Sequence, residues 1–78
     1  MPSFADNMRF FEGLHRAHRC LLNLSLHGVI ALRVRVIDQS VLIEIDRPLE
    51  VQGLDVGDKQ GYAVVVFYSC SVVWRQVT

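Results

Sequence analysis

His15, His18, Cys20 and Cys70 are the side chains of this sequence best suited by type to hold a metal ion or attack a substrate. Histidines three apart share a helix face, a spacing that zinc can use. Cys20, however, projects about 200° around a helical wheel from His18, so one ion cannot take both without distortion. Cys70, approaching from a strand, would bring the ligand count to three at best. The pattern favours structural roles: His18 as a core histidine bonded to a backbone carbonyl, His15 at the rim, and both cysteines as small buried or half-exposed thiols. A Cys70–His18 dyad would need an oxyanion hole and a substrate cleft, for which 78 residues leave little room. Neither a metal nor a cofactor is expected.

Glu44 and Asp46 form a second pair that could do chemistry, since paired carboxylates perform acid–base work. That work needs a cleft and a raised pKa, whereas arginines nearby depress carboxylates. Arg33 and Arg35 lie on the preceding strand, and the loop length decides which faces which. A two-residue Asp38-Gln39 loop sets Arg33 opposite Glu44; a four-residue loop sets Arg35 opposite Glu44 and Arg33 opposite Asp46. Either register makes these residues cross-strand partners worth about 0.2–1 kcal/mol per pair, and the reading is non-enzymatic. Phe67, Tyr68 and Trp74 could stack bases as in sheet-faced RNA binders, but no glycine–aromatic–basic pattern surrounds them. Tyr68 and Trp74 are read as core.

The elements that must position these groups follow from periodicity. Residues 4–27 read as a helix, with Ser3 or Asp6 able to cap it and Gly28 placed to end it. Ten apolar residues, among them Phe4, Met8, Phe10, Phe11, Leu14, Leu21 and Leu24, fall on an arc of about 200°, wider than one sheet requires. Alternation then predicts strands at 29–37 and 41–46, joined as an antiparallel hairpin. Arg47-Pro48 ends the second, because proline cannot donate to a ladder. Residues 47–61, with Gly53, Gly57 and Gly61, read as a long loop, matching neither an EF-hand nor a phosphate loop. Residues 62–76 read as one long strand, apolar on both sides at its start, and such strands are normally covered on both sides. The expected fold is α+β: one N-terminal helix on a three-stranded antiparallel sheet, αβββ, in a single domain spanning 1–78.

Composition agrees with a single small domain. The chain is 51% hydrophobic and 21% charged, with a formal net charge of zero. Its longest apolar run, Tyr62 to Tyr68, is seven residues, against the 18 or more of a membrane helix. The first twenty residues lack an apolar h-region, so reduced thiols and a cytoplasmic location are expected. Neutrality hides a dipole: residues 1–35 carry five arginines against Asp6 and Glu12, a net +3, and the remainder is correspondingly −3.

Two stretches, VLIEIDRP at 41–48 and SCSVVWRQ at 69–76, together with the LHGV that ends the helix, resemble small bacteriophage and prophage proteins of unknown function. In these, a helix precedes a hairpin closing in an Asp-Arg-Pro-like turn, and the last strand carries Cys-x-Val-x-Trp. The resemblance implies a non-enzymatic accessory factor that binds and occludes a host protein, inhibition of CRISPR–Cas complexes being one such role. The expected partner contacts are Arg9, Arg16 and Arg19 on the helix and Glu50, Asp55, Asp58 and Lys59 in the loop. Surplus apolar residues Val65, Phe67 and Val73 are the expected homodimer contacts. The alternative is a small nucleic-acid binder using the basic helix face, whose three arginines fall short of the usual basic footprint.

Overall fold

A computed structural model describes residues 4–76. Helix α1 runs Phe4–Leu26, and five strands follow: β1 Ala31–Ile37, β2 Ser40–Ile45, β3 Gly57–Lys59, β4 Tyr62–Phe67 and β5 Cys70–Arg75. They form one sheet in the order β1-β2-β5-β4-β3. The α+β class is as expected, but the sheet has five strands and is mixed: β5 lies beside β2 in parallel, and the other neighbours are antiparallel. Among the described residues, no helix is long and apolar enough to cross a membrane.

The helix ends where its sequence says it should. Gly28 sits at φ +75°; its N–H donates to Ser25 O at 3.1 Å, and Val29 N–H donates to Leu24 O at 3.3 Å. These two bonds make a Schellman cap, with buried Leu24 and Val29 as its apolar contact. The first hairpin takes the two-residue Asp38-Gln39 turn, so Ile37 pairs with Ser40, Arg35 with Leu42 and Arg33 with Glu44.

The strand expected at 62–76 is two strands. Tyr68 and Ser69 both adopt left-handed backbone, φ +51° and +62°, making a two-residue turn of the type that matches strand twist. Phe67 consequently pairs with Cys70, and the phase of the alternation inverts across the turn. Ala63, Val65 and Phe67 face the core together with Cys70, Val72 and Trp74, whereas an unbroken strand would put these two sets on opposite faces. The loop expected at 47–61 likewise contains β3, joined to β4 through a second left-handed turn at Gln60-Gly61.

Packing has one principal side. Helix α1 lies over β1, β2 and, more lightly, β5. Its buried residues are Gly13, Ala17, Cys20 and Leu24. Leu49 completes the core, with Val51 and Leu54 packed against it, so part of the connection from β2 to β3 roofs the sheet beside the helix. The start of that connection is tied down by Asp46: its Oδ1 accepts from Ile30 N–H at 2.9 Å, and its N–H donates to Ile30 O at 3.0 Å.

Small residues let the helix sit close. A Cβ added to Gly13 would lie 2.9 Å from both Asp38 O and Val36 Cγ1. Around that contact Arg9 pairs with Asp38 at 3.3 Å, and Arg16 donates from Nη2 to Gln39 O. Arg9, Gly13 and Arg16, each about one helical turn from the next, thus meet β1 and the β1–β2 turn.

Candidate interaction surfaces

The groups suited to chemistry are held apart or buried. Cys20 and Cys70 meet at the helix–sheet interface; Cys20 Sγ donates to Phe67 O at 3.4 Å and Cys70 Sγ to Arg16 O at 3.6 Å. Burial, then the neighbouring Cys70, pushes the Cys20 thiol up to about 12. Burial raises Cys70 as well, with the contacts to Cys20 and Arg16 pulling the other way. His15 and His18 are exposed on the outer side of the helix, which corrects the reading of His18 as a core histidine. The helix buries the face carrying Cys20, and His18 points away from it. Among the described residues, no cluster of three or more His, Cys, Asp or Glu side chains could hold a metal ion.

Glu44 lies opposite Arg33 on the uncovered side of the sheet. Asp46 is a structural residue: Arg47 hydrogen bonds at 2.7 and 3.1 Å, then the Ile30 N–H, hold its carboxyl below the usual range.

The expected partner residues do not form one patch. Arg9 and Arg16 are engaged with the β1–β2 turn, while Arg19 lines a small depression with Arg16, Tyr68 and Ser69. Glu50 and Asp55 are exposed in the connection, and Asp58 and Lys59 are exposed on β3. Of the expected dimer contacts, Val65 and Phe67 are buried in the chain's own core, because the turn at Tyr68-Ser69 puts them on the same face as Val72 and Cys70, their partners on β5. Val73 lies on the other face, half-buried.

That other face carries a surface that brings together Val73 and Lys59, expected separately as dimer and partner contacts, with residues the sequence did not single out. On it a shallow concavity of about 440 Å³ is floored by Leu42, Val64 and Val73 and bounded by Glu44, Lys59 and Tyr62. Arg33 and Arg35 border a smaller hollow beside it, sharing Leu42, Glu44 and Val73. Arg75 lies 5.9 Å from the Tyr62 ring centroid, in cation–π range. Four cations, Arg33, Arg35, Lys59 and Arg75, thus surround an apolar floor that holds one carboxylate, Glu44. Arg33 and Arg35 were legible there from the hairpin register. Lys59, Tyr62 and Arg75 required the two left-handed turns, neither of which shows the Asn-Gly or Asp-Gly pair that marks such hairpins.

A second unpartnered surface is the outer side of α1, where Phe4, Met8, Phe11, Leu14, Leu22 and Leu26 are each more than half exposed. It lies opposite the buried Gly13–Leu24 stripe. Comparison with protein-family models, with curated proteins and with solved structures finds no match for this chain.

Proposed function

We propose that this protein is a non-enzymatic protein–protein interaction module that binds through the open face of its sheet. The observation that carries the reading is the concavity over Leu42, Val64 and Val73, apolar at its centre and bordered by Arg33, Arg35, Lys59 and Arg75. A desolvated apolar centre inside a charged rim is the anatomy of a protein interface. The charge selects a partner surface that is acidic around an apolar contact. Its thiols are buried and its Glu44–Arg33 pair belongs to the strand register, so the groups suited to catalysis have structural work to do. Together with the resemblance to small phage and prophage proteins, this supports an accessory factor that occludes an acidic surface of a host protein.

The same four cations favour a second reading, nucleic-acid binding, moved from the helix to the sheet face, with Tyr62 as a stacking platform. One experiment separates the two. Tagged wild-type protein and the variants Val73→Glu and Arg35→Glu are used to capture partners from lysate, and each is titrated with labelled single-stranded RNA and duplex DNA at low salt. Under the leading reading a protein is retained by the wild type and its affinity falls at least about thirtyfold in Val73→Glu, as for an interface centre. Capture that is indifferent to both substitutions sinks the assignment to this face. Tight nucleic-acid binding with a steep salt dependence replaces it by the second reading.

A further inference from the structure

The outer face of α1 has the spacing of a helix-pairing seam. Phe4, Met8, Phe11, His15, His18 and Leu22 recur at intervals of four and three, the a/d pattern that packs one helix against another. The seam is exposed along its length. The first turns of the helix, Phe4 to Glu12, bury little: none of their side chains is buried, Phe10 alone is half-buried, and Arg9 meets the β1–β2 turn only through its exposed pair with Asp38. The molecule is drawn out to 53 × 27 × 22 Å, with a radius of gyration of 13.8 Å, where a compact chain of this length has about 11.5 Å. Its accessible surface, 5898 Å², exceeds by roughly 1,100 Å² the value expected for a compact monomer of its mass. An excess of this size is larger than one partner's share of a standard interface, about 800 Å².

Charge identifies the occupant. Glu12 and Arg19, seven residues apart, lie on the same edge of the seam, and Leu14 and Leu21 lie on the other. In an antiparallel pair like edges face one another; in a parallel pair unlike edges do. Antiparallel pairing of two identical helices about a two-fold axis between residues 15 and 16 sets Glu12 of each copy against Arg19 of the other. The same stagger brings the two Leu14/Leu21 edges together. The helix Phe4–Leu26 has its midpoint at residue 15, so this stagger also overlaps the helices along almost their whole length. Parallel pairing would leave both charges facing leucine.

We infer that the protein forms a homodimer in which two α1 helices pack antiparallel through their outer faces, with reciprocal Glu12–Arg19 pairs at the seam's edge. Each sheet then lies on the outside of a four-layer sheet–helix–helix–sheet assembly. The two open faces point away from each other and remain free.

Sedimentation or light scattering at micromolar concentration tests this together with charge exchange. The wild type is expected at twice the 8.9 kDa chain mass. Met8→Glu combined with Phe11→Glu, both at exposed positions and checked for helix content by circular dichroism, is expected to be monomeric. Glu12→Arg and Arg19→Glu each set like charges together and are expected to weaken the dimer about tenfold or more; combined, they restore it. A wild type monomeric at 100 μM overturns the proposal, as does a dimer unaffected by the Met8/Phe11 double substitution. Failure of the exchanged pair to recover overturns the antiparallel register. None of these readouts involves the open sheet face, so they stand apart from the test of the proposed function.

Discussion

Cys20 and Cys70 show how one environment settles what a residue can do. A thiol becomes a nucleophile when its pKa falls toward neutrality, and here burial drives both the other way, Cys20 to about 12 from a reference of 9.0. At neutral pH both side chains are neutral, donating to the Phe67 and Arg16 carbonyls. The native protein is therefore expected to leave a chromogenic disulfide reagent unreacted until denaturant is added. Stability carries the same signature. The folded-state pKa lies above the unfolded one, so the contribution is fully present below pH 9 and is lost as pH rises from 9 toward 12. Thermal denaturation followed between pH 7 and 11 should give a flat midpoint up to about pH 9 and a fall beyond it. Rapid labelling of the native protein, or a midpoint unchanged through pH 11, contradicts the buried pair.

At the scale of elements, local signals were legible and contacts between distant elements were not. The helix, its Gly28 cap and the first hairpin follow from periodicity and turn chemistry, and the loop length that fixed Arg33 opposite Glu44 could be framed in advance. The β4–β5 turn could not, because Tyr68 and Ser69 occupy left-handed positions usually taken by Asn and Gly. Without that turn, Ala63, Val65 and Phe67 fall on the face opposite Cys70, Val72 and Trp74, which is why Val65 and Phe67 read as dimer contacts when they belong to the core. The parallel pairing of β2 with β5 is set by the core as a whole, and no local pattern announces it. The helix misled for another reason. Most of its bulky apolar residues face outward, whereas the packed face is Gly13, Ala17, Cys20 and Leu24, small near the β1–β2 turn so that the helix can approach it there. That approach makes Gly13 critical. Gly13→Ala gains up to about 1 kcal/mol of helix propensity. It also drives a methyl against the Asp38 carbonyl, a backbone atom that cannot swing aside, at about 1–3 kcal/mol. A net fall of several degrees in Tm is expected; a rise would show that the helix does not lie so close.

For the molecule as a whole, the two unpartnered surfaces lie on opposite sides of the layer pair. One carries a self-complementary charge pattern and the other an excess of cations, which points to a copy of the chain on the helix side and an acidic partner on the sheet side. A dimer built this way presents two identical open faces, so a partner that is itself dimeric gains avidity from simultaneous engagement without any new contact. Thermodynamics also ties folding to assembly. The helix turns that precede Gly13 bury none of their side chains and are tied to the β1–β2 turn by an exposed Arg9–Asp38 pair, and helical turns without buried contacts are marginal in water. When a folded dimer unfolds to two free chains, a hundredfold rise in protein concentration adds about 2.7 kcal/mol per dimer. With the usual unfolding entropy per residue, two chains of this length convert that into a rise of about 8 °C in Tm. Calorimetry at 2 and 200 μM should show it for the wild type. The Met8→Glu/Phe11→Glu variant should instead melt at a lower temperature that does not move with concentration, and its Phe4–Glu12 amides should exchange with solvent faster than those of the wild type. A wild-type midpoint independent of concentration would mean that the chain folds unaided with its apolar ridge in water.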